Sequence, residues 1–133
     1  MTDCPRELHY TESHEWVRLE GDDTVVIGIT DHAQHQLGDL VFVELHDMQL
    51  ALEKGDEMAV VESVKTAADV YAPISGTVVE VNPQLESRPD LINEDPYGDG
   101  WICRIKPSEI EELGELMDAD GYKEMIAEDN SED

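Results

Sequence analysis

The stretch Val60–Gly76, VVESVKTAADVYAPISG, decides how this chain is read. Two segments of strand character, EMAVVES (57–63) and ADVYAPI (68–74), flank a single lysine, Lys65. Valine and tyrosine suit strands, whereas lysine is a poor strand former and costly to bury. The chain is therefore expected to turn at Ser63-Val64-Lys65-Thr66. A type I′ turn needs positive φ at both central residues, and the β-branched Val64 resists that. A type I turn suits these residues better. Such a tip holds the lysine amine in solvent on a stiff platform, where an enzyme can find and acylate it. An isolated lysine in a hairpin is most often only a solvated turn residue; the segments around this one decide the matter.

Outward from the tip, short strands alternate with turns. HEWVRLE (14–20) and TVVIGIT (24–30) read as a hairpin closed by Gly21-Asp22-Asp23. Thr30 can cap a short helix, DHAQHQL, that stops at Gly38. LVFVELH (40–46) is a strand and LEKGDE (52–57) a turn on Gly55. Beyond the tip, Pro73 and Ser75-Gly76 break the chain before the strand TVVEVN (77–82). Residues 83–100 are loop-rich, with a short helix before Trp101, and WICRIK (101–106) is the last strand. Ser108 with Glu111 three residues on makes a capping box. Ile110, Leu113 and Leu116 follow at helical spacing, and Tyr122, Met125 and Ile126 add another turn or two. The pattern predicts a mainly β protein: a small sandwich or half-barrel with short helices and a C-terminal helix. Its 133 residues form one domain, loose over about residues 1–7 and frayed over about 128–133.

Composition excludes several classes of function. Thirty-three acidic residues against eight basic ones give a formal net charge of -25. Nucleic acids and anionic membranes are poor partners for such a surface, because phosphate contacts need Lys and Arg. The charge fits a basic protein partner, solubility alone, or a salt-loving host. No apolar run approaches the ~20 residues that span a bilayer. The first residues, MTDCPRELHYTESHEW, lack the features of a signal or transit peptide, which favours a cytoplasmic protein. Cys4 and Cys103 make neither a disulfide framework nor a metal site, and the five histidines show no zinc spacing. His32 is expected on a helix surface, and Trp16 and Trp101 in the core. No nucleophile–base set or phosphate-binding glycine loop speaks for an enzyme.

ESVK (62–65), followed by ADVYAPISGTVVEVN (68–82), resembles the attachment segment of lipoyl and biotinyl carrier domains. In that family the modified lysine sits at a hairpin tip, and the next strand leads into an A-P-x-x-G turn, here Ala72, Pro73 and Gly76. Biotin carriers usually show Met-Lys-Met where this chain has Val-Lys-Thr. Acyltransferase lipoyl domains typically show Asp before the lysine, where this chain has Val64. ESVK is instead similar to the glycine cleavage system H proteins. SHEWV (13–17), GITDHAQ (28–34), LGDLVFVELH (37–46), LINEDPYGDGW (91–101) and the closing helix all look like segments of that family, over roughly residues 8–127. Thr66 departs from it, since alanine is commoner there.

 The resemblance implies a lipoyl-domain-like barrel-sandwich hybrid, a monomer, that carries a group and catalyses nothing alone. Lipoate would be amide-linked to Lys65. The glycine decarboxylase (P protein) would load an aminomethyl group onto it, and the aminomethyltransferase (T protein) would pass the one-carbon unit to tetrahydrofolate and release ammonia. The dihydrolipoyl dehydrogenase (L protein) would reoxidise the dithiol, and a lipoylating enzyme would attach the arm at the outset. Ser13, Glu15 and Asp69 match the family residues that hold the loaded amine in a cleft. Glu62, beside the tip, either helps present it to the lipoylating enzyme or simply faces water. Two other readings stay open on the residues: an H-like carrier serving lipoate relay or sulfur metabolism, and an interaction module whose Lys65 is never modified.

Overall fold

The computed structural model describes residues 7–45 and 51–130. Cys4, His46 and the last three residues of the stretch expected to fray lie outside them. β2 (Glu15–Leu19) and β3 (Val25–Ile29) form the expected hairpin, with Glu15 opposite Ile29 and Leu19 opposite Val25. Every residue of β3 is buried. Val25 and Ile27 face the main core, while Val26 belongs to a second cluster. A strand covered on both faces reads as an unbroken apolar run, which is why VVIGI lacks polar alternation. Gly28 lies opposite Trp16 in the ladder, and a Cβ there would fall 2.7 Å from the indole ring. The missing side chain is what lets the indole lie against the strand.

The strands form two antiparallel sheets. The first has the order β1-β2-β3-β9-β8-β5, where β1 is His9–Tyr10, β5 Ala51–Leu52, β8 Gly76–Val81 and β9 Cys103–Pro107. The second has the order β4-β6-β7, with β4 at Leu40–Leu45, β6 at Glu57–Ser63 and β7 at Ala67–Tyr71. The main core draws Val17, Ile27 and Ile105 from the first sheet and Val43, Val61 and Val70 from the second. This is the mainly β sandwich that the strand pattern predicts.

Helices close the rim. Thr30 accepts the Ala33 N–H through its hydroxyl and caps α1 (Asp31–Leu37), which ends at Gly38 with a φ of 86°. Both signals act as the sequence suggests. A short α2 (Leu91–Glu94) lies in the loop-rich region. α3 (Ala119–Asn130) buries Tyr122 and Ile126 in the second cluster with Tyr10 and Trp16. It reaches Asn130, inside the stretch expected to fray.

Three local expectations are corrected. The strand after the tip stops at Tyr71 instead of reaching Ile74, because Ala72 N–H turns to the Asp56 carbonyl and Pro73 has no N–H to offer. The last strand starts at Cys103, since Trp101 N–H closes the preceding turn onto Gly98. The capping box does not form. Ser108 N–H goes to the Ser75 carbonyl, and Ile110–Glu115 is a 3₁₀ turn without a side-chain cap. Glu112 binds the Ser75 N–H at 2.6 Å and its hydroxyl at 3.1 Å, a tertiary contact that local spacing does not reveal. The strands β1 and β5 were also not anticipated; at two residues each they are too short to show a period.

Candidate functional site

β6 and β7 pair from Glu57 opposite Tyr71 to Glu62 opposite Ala67, leaving Ser63–Thr66 as the loop. Ser63 N–H donates to the Thr66 carbonyl at 2.7 Å. The Ser63 hydroxyl oxygen receives Lys65 N–H at 3.3 Å and Thr66 N–H at 3.1 Å. One serine side chain thus does the closing that a main-chain bond does in the expected type I turn. Neither Val64 nor Lys65 has positive φ, as the residue types require. Val64 N–H donates to the Asp39 carbonyl at 3.1 Å and ties the tip to the start of β4. Lys65 is exposed, and its stem lies beside the end of α1: a Cβ on Gly38 would fall 3.5 Å from Lys65 Cε. Lys54, by contrast, is paired with Glu115 at 2.8 Å.

Next to the tip lies a cleft of about 160 Å³, bounded by α1, β7 and the loop before β2. Ser13, His14, Glu15 and Asp69 line it, with Ile29, Leu37 and Val61 among its apolar walls. The loop is built around Thr11. Its hydroxyl accepts Glu15 N–H at 3.0 Å and donates to the Glu15 carboxylate at 2.5 Å. His14 takes a φ of 72°, a left-handed conformation in which histidine is enriched among non-glycine residues. The outcome is a carboxylate set into the body of the protein: Glu15 is 2 % exposed. Its second oxygen receives Tyr71 N–H at 3.3 Å. Burial holds the Glu15 carboxyl above its ordinary value, and the bonds from Thr11 and Tyr71 oppose that rise. Asp69 is exposed at the edge strand β7, and its charge raises the neighbouring Tyr71 phenol. A second hollow of about 250 Å³ shares Ser13 and Glu15 but lies further along β7, at Tyr71–Pro73.

The fold therefore gathers Ser13, Glu15 and Asp69, which are distant in sequence, around one cleft, with Lys65 beside it. Glu62 is not part of the cleft; it stands on β6 opposite Phe42 and Ala67, half-buried. His32 is corrected from helix surface to interior. It is 5 % exposed, its ring lies 4.9 Å from that of His14, and its Nε2 has no hydrogen-bond partner. Trp16 is fully buried as expected, and Trp101 is half-buried against the second cluster. Sequence reasoning missed Thr11, Tyr71 and His14. Thr11 and Glu15 are four apart, a spacing that carries no strong signal outside a helix. His14 donates to or accepts from the Tyr122 hydroxyl at 2.8 Å, which in turn meets Thr30 Oγ1 at 2.6 Å, so α3 braces the cleft wall.

Comparison with known proteins agrees with this fold. The family model for the glycine cleavage H-protein matches residues 8–129. The glycine cleavage system H protein of Coxiella burnetii is 58% identical over 126 residues, covering 95% of this chain and 97% of its own. That of Thermus thermophilus is 56% identical over 124 residues, covering 93% and 96%. The crystal structure of an H protein from Mycobacterium marinum superposes with a TM-score of 0.85 at 39% identity, over 92% of this chain and 98% of that one. With sequence and fold in agreement, the chain belongs to the glycine cleavage H-protein family.

Proposed function

We propose that this chain is the lipoyl carrier of the glycine cleavage system, shuttling the aminomethyl group of glycine from the P protein to the T protein on an arm attached to Lys65, with the L protein restoring the arm. The observation that carries the reading is the placing of an exposed tip lysine beside a cleft that combines apolar walls with the carboxylates of Glu15 and Asp69. The residues present fit a lipoyl group. The walls Ile29, Leu37 and Val61 suit its hydrocarbon chain, and the carboxylates suit a cationic amine. When attached, the group supplies a disulfide that takes up a one-carbon amine and gives it up again.

The rest of the work falls to the chain. Lys65 presents a nucleophilic amine on a tip fixed by Ser63 and Asp39. Glu15 and Asp69 accept hydrogen bonds from the charged amine, and Ser13 adds a hydroxyl at the cleft mouth. Bonds to charged groups contribute roughly 1.5–3 kcal/mol each, enough to keep an arm end docked and shielded from water. Chemistry is left to the partner enzymes; docking to each raises the effective concentration of the arm. The test is to incubate unmodified chain with lipoate, ATP and a lipoate–protein ligase and to map the product. One lipoyl group on Lys65, and none on the Lys65→Arg variant, is expected. Attachment at Lys54, Lys106 or Lys123 instead overturns the assignment.

A further inference from the structure

β4 is an edge strand, and its solvent side is not the polar one that an edge normally shows. The register between β4 and β6 slips between Leu40, opposite Ser63, and Phe42, opposite Glu62. This bulge leaves Val41 unpaired and turns two successive apolar side chains outward, where regular alternation would expose one. Val41 is 54% and Phe42 50% exposed, and Val64 at the tip is 71% exposed. Val64 is joined to the residue preceding β4 through the Asp39 carbonyl. Three exposed apolar side chains thus lie at the tip end of the β4–β6 pair, Val64 next to Lys65 and the other two on the strand paired with Glu62 and Ser63, in a chain of net charge -25. Carboxylates border them: Asp39 precedes β4, Glu44 follows on the same strand, and Glu62 faces Phe42 across the ladder.

We propose that Val41, Phe42 and Val64 form the docking surface for the enzyme that acylates Lys65, an enzyme presenting an apolar surface ringed by basic side chains. The inference rests on the reading of Lys65 as the attachment site. The downstream enzymes meet the far end of a long arm, but the acylating enzyme must enclose the bare ε-amine itself. It must therefore cover the tip and the strand ends that lead to it, and there the exposed residues are apolar at the centre and acidic at the border. In the step it performs, the neutral amine attacks the carbonyl of an acyl-adenylate. The N–C bond forms, the C–O bond to AMP breaks, AMP leaves, and the amine proton passes to a base on the enzyme. The acidic border matches a basic rim, which steers encounter and orients the tip. Apolar contacts at the centre of such an interface carry most of its affinity.

The test measures initial rates of lipoylation by mass spectrometry against chain concentration, with lipoate, ATP and a lipoate–protein ligase. Phe42→Ser and Val41→Thr are compared with Leu19→Ser, an equally exposed apolar site on β2 in the other sheet. The β4 variants are expected to lower kcat/KM at least tenfold, chiefly through KM, with Phe42→Leu restoring most of the loss and Leu19→Ser unchanged. Val41→Thr is nearly isosteric and keeps the comparison valid if Phe42→Ser fails to fold. Wild-type chain that is lipoylated on Lys65 with folded β4 variants equal to it overturns the docking surface alone. Wild-type chain that takes no lipoyl group on Lys65 overturns the docking surface together with the reading beneath it.

Discussion

Glu15 is ionisable where the fold makes ionisation costly. Its carboxyl is buried, held by Thr11 and Tyr71, and raised above its ordinary value chiefly by desolvation. A folded-state value above the unfolded one means that the group's contribution to stability is fully present below about pH 4.5 and is lost as pH rises through the folded value. The unfolding free energy of wild type minus that of Glu15→Gln is therefore expected to fall as pH rises above about 4.5. Parallel denaturant titrations measure it, and a difference that rises or stays flat contradicts the environment described. Keeping such a group suggests a use, and a docked cation is one that favours its charged form. The double variant Glu15→Gln, Asp69→Asn is expected to accept lipoate at the wild-type rate yet to lose its one-carbon cargo to water roughly tenfold faster or more, since each 1.4 kcal/mol is tenfold. The decay of the purified loaded carrier without T protein measures this. Decay at the wild-type rate would show the carboxylates to have another role. Lys65 is legible in sequence because a lysine between two strands is conspicuous. Glu15 and Asp69 are legible only through family likeness, since 33 acids populate the chain. Thr11 and His14 act through a non-repeating loop, for which local sequence offers no period to read.

At the scale of elements, periodic segments were the readable ones. β6 runs over the seven residues Glu57–Ser63 expected to form a strand before the tip, and α1 begins after Thr30 and ends before Gly38 as its caps dictate. The misread boundaries lie where a tertiary partner outcompetes a local one, as when Ser75 claims Ser108 and Glu112. His32 was misplaced for a similar reason. A seven-residue helix of mixed polarity does not announce which face the His14 loop will cover. Gly28 gives the element scale its own test. Its Cβ would overlap the Trp16 indole, whose Nε1–H donates to the Pro96 carbonyl at 2.9 Å, so the ring cannot move away freely. Gly28→Ala is expected to destabilise the protein by roughly 1–3 kcal/mol, the usual cost of overpacking. Thermal unfolding measures it, and a variant as stable as wild type contradicts the packing of β2 on β3.

Seen whole, the molecule is a rigid two-sheet platform that projects one lysine at the end of a β6–β7 hairpin. The fold class was legible because short strands punctuated by turns admit few layered arrangements. How the two sheets bring Ser13, Glu15 and Asp69 together was not, because that depends on packing between segments more than fifty residues apart. The large negative charge acts at this scale as well. Fields between exposed charges are screened over ~8 Å at physiological salt, so docking that uses this charge must weaken as salt rises. The measurement that tests the central claim most directly is CO2 release from glycine by glycine decarboxylase, followed as the concentration of lipoylated chain is raised. The rate is expected to saturate with wild-type chain, to show a KM that increases with ionic strength, and to stay at background with Lys65→Arg. Lipoylated wild type that leaves the rate at background, or Lys65→Arg that supports it equally well, contradicts the account.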